Sequence, residues 1–308
     1  MEQKPNLKVD LGKNVILKNP VMTASGTFGY AGEFLRYMDL NTLGGIVVKG
    51  LSLAPSKGNP PPRIVETSCG MLNAIGLENV GIEAFKKDKV PFLKTLDTQV
   101  FANIYGTTMD AYGELAEIID GCEGVSGVEV NISCPNVKAG GLAFGVEASA
   151  AAAVTRQVRS RTAKHVMVKL SPNVTDITEI AQAVEDAGAD SVSLINTITG
   201  MAVDIHTRRP KLANIVGGLS GPAIKPVALR MVWQTAAKVR IPVVGIGGIM
   251  TAEDAIEFLI AGASAVQVGT ANFVNPGVSQ EIVEGITSYI TDHRIMDIGD
   301  LVGSIDVS

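Results

Sequence analysis

Apolar positions along the chain fall into two alternating rhythms. Eight short stretches are nearly continuous in Val, Ile, Leu, Met and Ala: 21–25, 45–49, 100–105, 127–133, 165–170, 191–196, 242–247 and 265–269. Runs of this length and composition predict parallel strands covered on their outer face by helices. Between them the period changes to that of a helix. In the segment after residue 175, Ile177, Ile180, Ala181 and Val184 share one face. Asp176 is a candidate N-cap there with Glu179 as its capping-box partner, and Gly188 is a stop. The segment from Thr251 repeats the scheme, with Thr251 as cap, Asp254 in the first turn, Ile256, Leu259 and Ile260 inward, and Gly262 as stop before the next strand.

Eight strand-to-helix steps predict a (β/α)8 TIM barrel, with an open doubly wound sheet as the alternative. Residues 1–308 are expected to form a single domain carrying one long irregular insertion around 54–81. Trp233 and the helix expected over 222–240 read as interface or core, with core favoured, and Thr207 to Pro210 as a solvated turn in preference to a phosphate clamp.

Composition narrows the choice. At 308 residues, 46% hydrophobic and 19% charged, the chain supports one large core. Net charge is −5 with no basic run, which argues against nucleic-acid binding. Neither a leader-like apolar segment nor a bilayer-length stretch is present, so the expectation is a cytoplasmic protein with no membrane association. Cys69, Cys122 and Cys134 lack the spacing of a zinc or iron–sulfur site, so no metal is expected. Cys69 and Cys122 read as free thiols.

In such a barrel, residues just past the strand ends converge on one mouth. Here those positions hold Ser25, Lys49, Gly50, Asn103, Asn131, Cys134, Lys169, Asn196 and Thr197, followed by Gly247, Gly248, Gly269 and Thr270. Two lysines and three asparagines are costly as plain core. The glycine loops after strands seven and eight, just ahead of helix starts, suit a phosphate group. Their spacing does not match a dinucleotide fingerprint.

Cys134 follows a strand and precedes Pro135, with Gly140 and Gly141 able to let the loop move as a lid. No histidine lies close in sequence. His165 opens strand five at its far end and His206 is in a loop. The thiol therefore suits proton abstraction better than acyl transfer.

At "NISCPNVKAGGLAFG" the chain resembles class 1 dihydroorotate dehydrogenases. "VVKGLS", "MLNAIGLENVG", "VKLSPNVTDI", "LINTITGMAVD", "GGLSGPAIKPVALRMV", "GIGGI" and "QVGTANF" extend the resemblance in order along nearly the whole chain. Lys138-Ala139-Gly140-Gly141 is similar to the type B subgroup. Class 2 relatives have serine at the cysteine position and a membrane-associating N-terminal extension, and this sequence shows neither.

The resemblance implies a TIM barrel with FMN at its mouth that oxidises (S)-dihydroorotate to orotate in de novo pyrimidine biosynthesis. Cys134 would remove the proton from ring carbon 5 while FMN accepts hydride from carbon 6. It assigns Ser25, Lys49, Gly50, Asn103, Asn131, Lys169, Ile195, Gly221, Gly247, Gly248, Gly269 and Thr270 to the cofactor. Lys49, Asn73, Ala74, Ile75, Gly76, Leu77, Asn131, Asn196 and Thr197 go to the substrate. Lys169 near the pyrimidine end of the flavin would stabilise its anionic reduced form.

A partner subunit carrying FAD and a [2Fe-2S] cluster would pass electrons to NAD+, with a homodimer of catalytic chains inside a heterotetramer. Three alternatives stay open at this point. One is a type A enzyme with fumarate as acceptor and no partner. Another is a flavin-free barrel lyase or isomerase acting on a sugar phosphate. The third is an idle flavoprotein subunit, against which the intact Cys134 loop argues.

Overall fold

The computed structural model describes residues 5–133 and 144–308. Eight parallel strands close into a barrel in sequence order. They are β1 (Val21–Thr23), β2 (Gly45–Leu51), β3 (Gln99–Ile104), β4 (Gly127–Asn131), β5 (His165–Lys169), β6 (Ser191–Leu194), β7 (Val243–Ile246) and β8 (Ala265–Val268). Val266 of β8 pairs with Val21 of β1, which closes the ring. Each predicted run holds one strand. Most strands stop short of the predicted run at their C-terminal end, because the next residues turn away to build the mouth.

Among the described residues, six longer helices coat the barrel: α1 (Met109–Asp120), α2 (Ala148–Arg159), α3 (Ile177–Asp186), α4 (Lys225–Ala236), α5 (Ala252–Ile260) and α6 (Val278–Asp292). The predicted inward face of α3 is buried at Ile177, Ile180, Ala181 and Val184. Thr251 and Asp254 form a complete capping box on α5. Gly188 and Gly262 follow their helices with φ of +98° and +114°, conformations that favour glycine. Among the described residues, one large core cluster runs from Val9 to Leu301.

Four expectations need correction. In place of a box with Glu179, the Asp176 carboxylate accepts the Thr178 N–H (2.8 Å) and hydroxyl (2.7 Å), and Glu179 is exposed. Thr178 takes up the Asp176 carboxylate from the second helical position, and the Glu179 side chain faces solvent. The step after β1 contains only short 3-10 turns, Gly32–Phe34 and Leu40–Thr42, in a stretch broken by glycines at 26, 29 and 32.

Trp233 is 42% exposed. The buried positions of α4 are Ala228, Met231, Val232 and Thr235, and Trp233 lies off that stripe. Finally, the insertion is not irregular. Ile64–Thr67 and Gly70–Asn73 form a hairpin that joins Ile198–Met201 and Val216–Ser220 in a four-stranded antiparallel sheet. Gly70 takes a φ of +146° at its turn. Arg209 and Pro210 pair with Val203 and Asp204 in an exposed two-stranded turn, so the solvated reading of 207–210 stands.

His165 closes the barrel bottom and gives a test of the fold. Its Nε2 faces Ser191 Oγ at 2.8 Å and its Nδ1 faces the Gly12 carbonyl at 3.3 Å, a pattern that a neutral ring satisfies. Burial pushes its pKa below the ordinary 6.5, and the Asp190 carboxylate only partly opposes this. The unfolded chain therefore takes up a proton below about pH 6.5 that the folded chain refuses, so stability falls with acidification. Urea midpoints of wild type and His165→Asn at about pH 7 and pH 5 should show a smaller wild-type advantage at the lower pH. An advantage that grows on acidification would contradict the assignment.

Among the described residues, no helix is long and apolar enough to cross a membrane.

Candidate active site at the barrel mouth

The strand ends open into a cavity of about 790 Å³. It has contributions from every barrel strand or the turn that follows it: Ser25 after β1, Lys49 and Gly50 in β2, Asn103 in β3, Asn131 in β4 and Lys169 in β5. Ile195, Asn196 and Thr197 follow β6, Gly247 and Gly248 follow β7, and Gly269 and Thr270 follow β8. The hairpin and its continuation add Asn73, Ala74, Ile75, Gly76 and Leu77, and Gly221 enters from the four-stranded sheet. The structure thus brings together every site residue expected from the sequence except one. Cys134 lies outside the described residues. Ser133, one position before it, lines the cavity, and its hydroxyl donates to the Lys169 carbonyl at 2.9 Å.

The two lysines differ in setting. Lys169 is 4% exposed, with Nζ 3.3 Å from Ser25 Oγ and 3.8 Å from a Glu129 carboxylate oxygen. Lys49 is half-buried and has no ion pair among the described residues. An unpaired cation at a cavity wall suits an anionic ligand.

The asparagines are held by their neighbours. Asn131 Oδ1 accepts the Ser133 N–H at 3.2 Å and faces Asn196 Nδ2 at 3.5 Å, and its carbonyl takes the Tyr112 hydroxyl at 2.8 Å. Asn103 Nδ2 donates to Glu129 at 2.6 Å, which leaves Asn103 Oδ1 buried without a partner. A buried orphan acceptor on a cavity residue is a place for a ligand donor.

At the other end, Gly247 and Gly248 have φ of +130° and +75°. The N–H groups of Gly248 and Ile249 meet no acceptor among the described residues. The Thr270 hydroxyl donates to Ser220 Oγ at 2.8 Å and ties this corner to the four-stranded sheet. A Cβ built on Gly269 would meet nothing closer than Ala24 Cβ at 3.5 Å, so this glycine leaves room that no protein atom fills.

Sequence reasoning missed two groups. Glu129, Ser193 and Gln267 are fully buried inside the barrel beneath the mouth. Glu129 shares the inward parity of Asn131, two residues on, and that parity was the available signal. The second group supports Leu77, whose φ is +58°. Asn79 Nδ2 and the Tyr105 hydroxyl both donate to its carbonyl, at 2.9 and 3.1 Å.

Residues 7–290 match the family described as Dihydroorotate dehydrogenase. A protein of Geotalea uraniireducens named Dihydroorotate dehydrogenase B (NAD(+)), catalytic subunit, is 60% identical over 302 residues, covering 98% of this chain and 99% of its own. Proteins of the same name from Trichlorobacter lovleyi and Geobacter sulfurreducens are 60% and 59% identical over 303 and 305 residues, covering 98% and 99% of this chain and 99% and 100% of their own.

Proposed function

This chain belongs to the dihydroorotate dehydrogenase family, and from that premise we propose how its barrel mouth works. The chain oxidises dihydroorotate to orotate in pyrimidine biosynthesis, as the catalytic subunit of an NAD+-linked enzyme. One observation carries the site reading: a single cavity unites two lysines, three asparagines and a glycine-rich corner at the C-terminal ends of the strands.

FMN fits the residues present. Asn103 Oδ1 offers an unused acceptor, Gly248 and Ile249 offer free N–H groups at the glycine corner, and Gly269 leaves space. Ser25, Lys49, Gly50, Asn103, Asn131, Lys169 and Ile195 would hold the ring system, and Gly221, Gly247, Gly248, Gly269 and Thr270 the phosphate end. When bound, FMN supplies a two-electron acceptor for the hydride that leaves ring carbon 6.

The substrate is a flat ring with amide edges and a carboxylate. Asparagines suit it because each side chain has both a donor and an acceptor. Asn131, Asn196 and Thr197 would orient it from the strand ends, with Asn73, Ala74, Ile75, Gly76 and Leu77 covering it. Lys49 would pair with its carboxylate. The Cys134 sulfur would take the proton from carbon 5 as the bond from carbon 5 to carbon 6 becomes double. Lys169 would stabilise negative charge arriving at the cofactor.

The relatives are named catalytic subunits, which implies a second subunit. We assign to it FAD and a [2Fe-2S] cluster, and pair two catalytic chains in the assembly. A cytoplasmic location belongs to the same proposal.

The test is anaerobic. Purified chain should show flavin absorbance that bleaches on adding dihydroorotate. Reoxidation by NAD+ should need the partner subunit, and fumarate alone should be ineffective. Colourless protein that binds no FMN would overturn the cofactor assignment. Rapid reoxidation by fumarate would place the chain with the type A enzymes.

A further inference from the structure

Resting on the flavin reading above, we propose that Glu129 is a positioning residue that holds Lys169 and Asn103 in place and lowers the reduction potential of the bound flavin. Glu129 is fully buried and does not line the cavity, so it acts through its neighbours.

Its two carboxylate oxygens accept three hydrogen bonds and face one ammonium, from four other strands. Asn103 Nδ2 of β3 lies at 2.6 Å, Ser193 Oγ of β6 at 2.9 Å, Gln267 Nε2 of β8 at 2.8 Å and Lys169 Nζ of β5 at 3.8 Å. Three N–H or O–H donors and an ammonium around one group make an arrangement that suits an acceptor. A carboxylate in the middle of a barrel is expensive unless it is paired and hydrogen-bonded, and simple packing needs no charge there.

Two of its donors also have buried acceptor atoms with no partner, Asn103 Oδ1 and Gln267 Oε1. Glu129 therefore fixes which end of the Asn103 amide points away from it. With Nδ2 committed downward, Oδ1 remains as the acceptor on a cavity residue. Replacing the carboxylate by an amide would remove that constraint and let Asn103 turn.

The same carboxylate offsets part of the Lys169 charge from below. A cation beside a flavin favours the reduced anion, and a nearby anion opposes it. Glu129 thus keeps the flavin a stronger reductant than Lys169 alone would leave it. That suits a site whose electrons must move on to another acceptor.

The experiment is a dye-linked anaerobic titration of the FMN-loaded chain. Glu129→Gln should raise the reduced-to-oxidised flavin ratio at a fixed dye poise by at least tenfold, about 30 mV for a two-electron couple. Its FMN dissociation constant should rise several-fold as Asn103 loses its anchor. Ser193→Ala removes one hydrogen bond to Glu129 but no charge, and should leave the ratio within about twofold of wild type. In a Lys169→Met background the effect of Glu129→Gln should shrink.

An unchanged or lowered ratio in Glu129→Gln overturns the proposal. So does an equal shift in Ser193→Ala, which would mark a merely structural role, or an undiminished shift without Lys169. If Glu129→Gln does not fold, Glu129→Asp, which retracts the charge by one methylene, should shift the ratio in the same direction. No shift there overturns the proposal as well. Wild-type chain that binds no flavin would instead overturn the flavin reading itself, a result distinct from flavin bound at an unaltered potential.

Discussion

Cys134→Ser should slow turnover near neutral pH by about 10²- to 10⁴-fold, the usual contribution of a positioned general base. A free thiol has a reference pKa of about 8.5, so a modest shift by its surroundings gives a useful thiolate fraction at neutral pH. A serine hydroxyl holds its proton far more tightly. The loss should therefore shrink as pH rises, because a larger fraction of the weaker acid then serves as base. Steady-state rates with dihydroorotate across pH, normalised to bound flavin, would show this. Flavin content itself should not change, because the proposed FMN contacts lie elsewhere. A variant with the wild-type rate at neutral pH would remove Cys134 from the mechanism.

Gly269→Val should abolish flavin retention while sparing the fold. The glycine lines the cavity, and an added Cβ meets only ordinary contacts, with Ala24 Cβ at 3.5 Å and Thr27 Cγ2 at 4.0 Å. Its φ lies outside the left-handed region, so backbone strain is not introduced. The added bulk would occupy the space proposed for the cofactor. The expected outcome is a drop in FMN affinity of at least about 100-fold, about 3 kcal/mol, because the isopropyl group would clash with the bound cofactor. The melting temperature of the FMN-free chain should stay within a few degrees of wild type.

Gly245→Ala provides the contrast. Its Cβ would sit 2.5 Å from Phe258 Cδ1 in the core between β7 and α5. That variant should lose thermal stability instead. Equal loss of stability in both would show that Gly269 is a packing glycine after all.

The barrel was legible because its signal is local. Each strand is a short apolar run, each of α3 and α5 has a visible cap and a glycine stop, and the mouth follows from reading one position past each strand. The residues at those positions meet in one cavity for a geometric reason: parallel strands all end on the same side.

What was missed depends on pairings between distant segments. The hairpin at 64–73 gains its meaning from Val216–Ser220, almost 150 residues later, and no local period encodes that partnership. Core was the favoured reading for Trp233, although the stripe through Ala228, Met231, Val232 and Thr235 passes it by. Glu129 is the polar residue between Val128 and Val130, a pattern that by itself does not say which face is wet. In a closed barrel that residue faces inward, and its role shows only once three other strands supply donors and a fourth a lysine.

The four-stranded sheet links two ends of the mouth mechanically. Asn73, where the 73–77 segment begins, pairs with Gly218, and two residues further along that strand Ser220 receives the Thr270 hydroxyl. The segment proposed to cover the substrate and the corner proposed to hold the cofactor are thus stitched to a single ribbon. The two ends of the mouth therefore share one hydrogen-bonded strand instead of resting on separate loops.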